Sequence, residues 1–153
     1  MTSDKTVSIL NNLIRIHNDR ITNYDIASFE STELNLKLMF STFTQSSKRC
    51  NEELQEAVRK DRGTPVDITT TDNNHVTFWE ELKSSIAGHD NQSIIASCSS
   101  AENELQLMYT TILSDNTNNL TTEQFDMIHA QQQLIQLDYD TVKSITSVNK
   151  NNN

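Results

Sequence analysis

Residues that break helices are scarce in this chain of 153 residues, which contains only two glycines and one proline. Gly63 and Pro65 stand together in one connection, so long uninterrupted helices are permitted on both sides of it. The chain also lacks a strand-like alternation of apolar and polar residues over any length. These absences favour an all-α fold and argue against architectures that are built on sheets.

Positive charge is scarce as well, because 12 Lys and Arg residues stand against 21 Asp and Glu residues, for a net charge of −9. Such an excess repels phosphate backbones and anionic lipid headgroups, so we expect neither nucleic acid nor a membrane as a partner. No bilayer-length apolar run and no secretory signal pattern is present, which favours a cytoplasmic protein. Cys50 and Cys98 are then expected to be reduced core residues.

Several catalytic motifs are also missing, among them a Gly-rich phosphate loop, a Gly-x-Ser-x-Gly elbow and zinc-type cysteine pairs. A di-iron or di-manganese site in a helical bundle needs Glu-x-x-His on two helices. None of the four histidines has a Glu three residues before it, and Asp126 with His129 gives one shorter-armed equivalent. We therefore predict no catalytic residues and no cofactor, with iron or manganese as the alternative. The weak candidates for metal ligands are Glu53, Glu102, Asp126 and His129.

Apolar residues recur at spacings of three and four in four long segments, which predicts four amphipathic helices. Their stripes run from Leu10 to Tyr24, from Leu36 to Val58, from Ile94 to Ile112 and from Phe125 to Ile145. Short loops join the first pair and the last pair, while residues 61 to 91 form a long connection with its own amphipathic stretch, "VTFWEELKSSIAG". This arrangement predicts a ferritin-like four-helix bundle with a long crossover between helices two and three that carries a short extra helix. We expect one domain over residues 1–148 and a disordered Asn-rich tail at 149–153.

Two details of this prediction concern single positions. The first stripe includes His17, Ile21 and Tyr24, and the fourth includes Tyr139 between Ile135 and Val142. Helix ends are expected at residues that cap well, namely Ser31 or Thr32 before helix two and Thr121 or Thr122 before helix four.

Three segments together resemble a bacterial family of uncharacterised ferritin-like four-helix-bundle proteins: "NNLIRIHNDRITNY", "EELQEAVRKDRGTP" and "FWEELKSSIAGHDNQSIIASCSSAENELQLMY". The resemblance implies the fold and implies no particular activity. Polar positions of the family are matched at Asp19, Glu53, Glu102, Gln131 and Asp140. Two ligand types of the family are missing here, a His near Tyr139 and a Glu where Ile21 or Thr22 stands.

Glu102 lies on the flank of the third stripe, between Cys98 and Leu105. An inward glutamate in a bundle is a metal ligand, a partner in a buried polar cluster, or a rim residue whose carboxylate reaches water. We predict a half-buried glutamate that accepts a hydrogen bond, with Tyr24, His17, Tyr139 or Gln131 as the donor.

Two functions are compatible with these observations. The first is a non-catalytic helical-bundle protein that acts as an interaction or stress-related module, with a protein partner or a second copy of itself. The alternative is a metal-binding ferritin relative of the di-iron or di-manganese type, with a degenerate ligand set.

Overall fold

The computed structural model describes residues 4–70 and 76–151, and these residues form five helices. Helix α1 spans Asp4–Glu30, α2 Leu34–Lys60, α3 Val76–Ala87, α4 Asn91–Asp115 and α5 Thr122–Asn151. The all-α prediction is confirmed, and the short helix lies in the long connection, where the sequence predicts it. No helix among the described residues is long and apolar enough to cross a membrane.

The single domain over residues 1–148 and the Asn-rich tail at 149–153 stay predictions. Helix α5 extends to Asn151, and residues 152–153 lie outside the described residues.

Of the two helix N-caps that the sequence predicts, one is present in the structure, at Thr121. Thr121 Oγ1 accepts from the Gln124 backbone N–H at 3.1 Å and Gln124 Oε1 accepts from the Thr121 N–H at 2.9 Å, which is a capping box. The prediction for α2 is wrong, because Glu33 is its N-cap residue and makes no side-chain cap hydrogen bond. The backbone N–H of Ser31 instead donates to the Ala27 carbonyl at 3.0 Å and so closes α1.

Gly63 allows the end of α2 to approach the start of α1. Arg62 adopts a positive φ of 62°, and the Gly63 N–H then donates to the Val58 carbonyl at 2.9 Å, a bond that closes helix ends of this type. A Cβ atom at position 63 would lie 2.7 Å from a methyl group of Val7. Any larger residue at this position would therefore require the Val7 side chain or the start of α1 to shift.

The directions of the long helices follow from residues that contact each other across the molecule. Helices α1 and α4 are antiparallel, because Thr6 bonds to the carbonyl of Asn119 just beyond α4, while Arg20 bonds to Glu102. Helix α1 is likewise antiparallel to α2, since Asn18 contacts Asn51 and Ser28 contacts Lys37. Helices α2 and α4 therefore run in the same direction.

Buried apolar residues form two clusters at opposite ends of the long helices. One cluster includes Tyr24, Phe40, Cys98 and Val142, and α3 adds Trp79 to it, edge-on to the Tyr24 ring at 5.2 Å. The second cluster includes residues from the other end of each long helix, among them Leu13, Leu54, Tyr109 and Ile128. The apolar core is thus interrupted at one level, where all four long helices present polar side chains.

Candidate functional site

The interruption of the core contains a charged cluster. Its members come from all four long helices and are all buried: Arg20 from α1, Ser47 from α2, Glu102 from α4 and Asp138 from α5. Each of these residues comes three or four positions after an inward-facing residue of its own helix. Helical periodicity therefore directs one polar side chain inward from each of the four helices, at the same level of the bundle.

Arg20 has no exposed surface, and all five of its N–H groups donate hydrogen bonds. Nε and Nη2 reach the two oxygens of Glu102 at 3.1 and 2.7 Å, and Nη2 also reaches Asp138 Oδ2 at 3.0 Å. Nη1 donates to the Phe43 carbonyl at 2.8 Å and to Ser47 Oγ at 2.9 Å. The fork geometry of a guanidinium therefore joins α1 to the other three long helices at one point.

Glu102 is fully buried, so the prediction of a half-buried flank position is wrong. Its Oε2 accepts from the Tyr24 hydroxyl at 2.6 Å in addition to Arg20, and Tyr24 is one of the four donors that the sequence suggests. The Tyr139 hydroxyl reaches only Asn103, at 3.5 Å, on the exposed side. A full positive charge compensates the carboxylate, which explains how it can lie without any contact with water.

A chain of hydrogen bonds leads from this cluster towards the surface, and its outer end fixes its direction. Gln131 Nε2 lies 3.3 Å from the Cys50 carbonyl and 3.4 Å from Glu53 Oε1, two acceptors, so this end of the carboxamide is the NH₂ group. The opposite oxygen then accepts from the Tyr109 hydroxyl at 3.0 Å. The single proton of that hydroxyl is thereby committed to Gln131.

The inner part of the chain assigns the tautomer of His17. Its Nε2 lies 2.5 Å from the Tyr109 oxygen and must carry the proton, because the Tyr109 hydroxyl donates elsewhere. Nδ1 is then an acceptor for the Ser47 hydroxyl at 2.9 Å, and Ser47 Oγ accepts from Arg20. All hydrogen bonds of the chain point one way, from Arg20 to the carboxylate of Glu53, through a neutral imidazole.

Residues 5–115 match the family model described as Domain of unknown function (DUF2383), over most of the chain. The chain belongs to this family. No curated protein and no solved structure gives a significant match. The matched DUF2383 segment contains Arg20 and Glu102 and ends before α5, so Asp138 is supplied from outside it.

Burial and nearby charges shift the pKa values of the buried ionisable groups in the DUF2383 segment. Burial, together with the nearby charge of Arg20, lowers the pKa of His17 to about 3. Burial alone would lower the pKa of Arg20, but Glu102, Tyr24 and Asp138 together outweigh burial and hold that pKa above its ordinary value. The imidazole is therefore neutral and the guanidinium charged at every physiological pH.

The two cysteines are free thiols in the core, and burial raises the pKa of both, that of Cys50 to about 12. Such thiols supply almost no thiolate at neutral pH, and the thiolate is the nucleophilic form. Outside the DUF2383 segment, burial raises the pKa of Asp138 against the opposing effect of Arg20.

The four weak candidates for metal ligands are not brought together. Glu102 lies in the charged cluster, whereas Glu53 is exposed on α2. Asp126 and His129 are exposed on α5, where the His129 ring stacks near Phe125 with 6.4 Å between centroids. Within residues 4–70 and 76–151, no group of three or more His, Cys, Asp or Glu side chains is placed to hold a metal ion.

Two members of the cluster, Arg20 and Asp138, are absent from the residues that the sequence singles out. The sequence pattern places Ile21 and Tyr139 on the apolar stripes instead of Arg20 and Asp138. Both of these residues are only partly buried in the structure. The sequence does contain one signal that could have identified the cluster: one basic and two acidic residues lie at equivalent levels of three different helices.

Proposed function

We propose that this chain is a non-catalytic helical protein that binds another protein. In this proposal it has a ferritin-like four-helix arrangement, and a buried arginine takes the central position that metal ions take in carboxylate bundles. A bacterial origin and a cytoplasmic location, in line with its two free buried thiols, are parts of the same proposal.

The directions of the helices support the ferritin-like part. Helices α2 and α4 run in the same direction, and residues 61–90, which include α3, connect them. One long crossover between two antiparallel helix pairs is the connectivity of ferritin-like bundles. The description of the DUF2383 family gives no activity and neither favours nor opposes this assignment.

The hydrogen bonds within the charged cluster are the single observation on which the non-catalytic part of the proposal rests. Both oxygens of Glu102 and one oxygen of Asp138 accept hydrogen bonds from Arg20. A divalent cation at this place would need to displace the guanidinium, or would lie within a few ångströms of its positive charge in a medium of low dielectric constant. Both ring nitrogens of His17 are also engaged. The residues present therefore do not fit a di-iron or di-manganese centre.

An apolar surface supports the protein-binding part. Phe29, Leu34 and Leu38 are 85, 66 and 58% exposed, and Lys37 Nζ lies 3.3 Å from the Phe29 carbonyl, so the three side chains share the end of the molecule where α1 meets α2. Apolar groups concentrated on one exposed surface are typical of protein contact sites. The adjacent Glu30 and the net charge of −9 disfavour a second copy and favour a partner with basic groups around an apolar centre.

Metal analysis tests the non-catalytic part. We expect protein that is purified without chelators, loaded anaerobically with Fe²⁺ or Mn²⁺ and then desalted to hold far less than one ion per chain. A matched Asp126→Asn/His129→Gln variant removes the exposed pair and controls for ions bound at the surface. A content of about one or two ions per chain that this control retains and Glu102→Gln loses would contradict the proposal and support the metal-binding alternative.

A triple variant tests the apolar end. Replacing Phe29, Leu34 and Leu38 with serine should change the free energy of unfolding by less than about 1 kcal/mol, because these side chains bury little surface in the fold. The variant should elute earlier from a hydrophobic-interaction column, whereas serine at Leu107, which is 52% exposed on α4, should have a smaller effect. A large loss of stability would show that the three residues pack within the molecule, and the binding surface would have to be sought elsewhere.

A further inference from the structure

The outer surface where α4 and α5 lie side by side is almost free of charge, in a chain whose net charge is −9. Helix α4 contains three acidic residues and no basic one. Glu102 is buried in the charged cluster. Glu104 and Asp115 lie about 160–180° around the helix axis from Gln106, which contacts α5. The side of α4 next to α5 therefore carries no charged side chain.

Helix α5 adds one charged pair to this surface, and the two charges cancel. Lys143 Nζ lies 3.4 Å from Asp140 Oδ1 and 4.5 Å from the centroid of the Tyr139 ring. Gln136 Nε2 donates to the same carboxylate oxygen at 2.9 Å. The α4–α5 surface consists of these four residues and of uncharged ones, namely Asn103, Gln106, Leu107 and Thr110 of α4 and Gln132 of α5.

The carboxamides of the α4–α5 surface retain unused hydrogen-bonding groups. Gln106 and Gln132 each donate to the backbone carbonyl of the other, at 3.2 and 3.4 Å, and Gln132 also donates to Thr110 at 2.9 Å. Within the described residues, the side-chain oxygens of both glutamines accept no hydrogen bond, and Asn103 engages one end of its carboxamide, with the Tyr139 hydroxyl at 3.5 Å. A surface that offers both donors and acceptors can pair with a second copy of itself across a two-fold axis.

The α4–α5 surface also has an apolar group and sufficient area for such a contact. Leu107 is 52% exposed and lies about one helical turn from Asn103 and from Thr110, so the three side chains share one face of α4. The 25 residues of α4 span about 37 Å, and two adjacent helices are roughly 20 Å wide, which gives an area of about 700 Å². Each partner contributes about 800 Å² to a specific interface of standard size.

We propose that two copies of this chain associate through the α4–α5 surface, with carboxamides of one copy bonded to those of the other and Leu107 covered in both. A second copy fits better than a strongly charged partner, because the surface has no net charge that would attract one. Two molecules of charge −9 also repel each other least where neither contact surface is charged. The apolar end of α1 and α2 stays exposed in this dimer, so the inference is independent of the proposed protein-binding function.

The test is sedimentation equilibrium of the whole chain over a range of protein concentrations. We expect a monomer–dimer equilibrium with a dissociation constant on the order of 10–100 μM, weak because the interface has few apolar groups. Leu107→Glu places a charge on the surface of each copy and should weaken the dimer at least about tenfold. Leu38→Glu is the matched control, because Leu38 is 58% exposed at the apolar end, and it should leave the dissociation constant unchanged. A monomer at every concentration, or a dimer that only Leu38→Glu disrupts, would overturn the proposal.

A second variant and the dependence on salt check the same assignment. Asn103→Asp keeps the shape of an exposed side chain, replaces its donor with a negative charge and should weaken the dimer about threefold or more, with an unchanged circular dichroism spectrum. Added NaCl should strengthen the wild-type dimer, because salt screens the repulsion between two acidic molecules and an uncharged interface has no ion pairs to lose. A dimer that dissociates as salt is added would indicate charged contacts on another face and refute the assignment.

Discussion

Replacing Arg20 with methionine is expected to lower the free energy of unfolding by about 5 kcal/mol, at the upper end of what breaking a buried ion pair does. The substitution keeps an unbranched stem and removes the guanidinium group, so the main loss is expected to come from the missing charge and its hydrogen bonds. Glu102 and Asp138 would remain buried with no compensating cation, and five hydrogen bonds would be lost. Urea denaturation at neutral pH measures the change.

Two further variants separate electrostatics from packing in this prediction. Arg20→Met combined with Glu102→Gln and Asp138→Asn leaves no buried charge and should recover part of the lost stability, because an uncompensated buried charge costs more than a buried amide group. Arg59→Met is the surface control, since Arg59 Nη1 lies 4.0 Å from Glu56 with both side chains exposed, and it should have an effect below about 1 kcal/mol. If the triple variant were no more stable than Arg20→Met, packing around the guanidinium would be the source of the loss.

The charged cluster also explains how the helices keep their register. An apolar core tolerates small shifts of one helix along another, whereas the fork of Arg20 reaches Glu102, Asp138 and the Phe43 carbonyl in one arrangement only. A lengthwise shift of α4 or α5 by one helical turn would leave a carboxylate buried without its partner. This role is consistent with a structural rather than a catalytic use of the buried charges.

The sequence predicts the helices well because scarce Gly and Pro and regular apolar spacing act within a single segment. Every member of the predicted stripe of α2, from Leu36 to Val58, is buried. The short helix in the long connection is equally local, because Trp79, Leu82 and Ile86 lie one turn apart and all three are buried on one face. Features that one helix specifies alone can thus be read before the structure is known.

The charged cluster could be predicted only in part, since it depends on the register of helices that are distant in sequence. A period of 3.6 residues allows either Arg20 or Ile21 to follow His17 on the inner face, and either Asp138 or Tyr139 to follow Ile135. When one helix is considered alone, the apolar residue of each pair is the better candidate for the buried position. Burial of Arg20 becomes favourable only when Glu102 and Asp138 arrive at the same level from two other helices, and no single segment contains that information.

Stability should fall steeply in mild acid because of His17. Its pKa is about 3 in the folded protein and about 6.5 in an unfolded chain. Between these values the unfolded state binds more protons, so the free energy of unfolding decreases as the pH falls, by up to about 1.4 kcal/mol per pH unit. The contribution of the neutral imidazole is complete above pH 6.5 and is lost towards pH 3, for a total of about 4–5 kcal/mol.

Asp138 acts in the opposite direction at the acidic end of this range. Burial raises its pKa in the folded protein, so just above the ordinary value of 3.8 the folded state binds more protons than the unfolded state. Stability from this group is present at low pH and is lost as the pH rises through the raised pKa. We therefore expect the decrease caused by His17 to develop as the pH falls below about 6.5 and to be partly offset by Asp138 at the acidic end of the range.

Urea denaturation of the wild type and two variants at several pH values between 7 and 4.5 measures this dependence. His17→Gln retains a donor for Tyr109 but cannot titrate, so it should be less stable than the wild type at pH 7 and nearly independent of pH down to about 5. His129→Gln removes an exposed histidine and should keep the wild-type slope. Equal slopes for the wild type and His17→Gln would contradict the prediction, because they would mean that protons enter groups other than the imidazole between Ser47 and Tyr109.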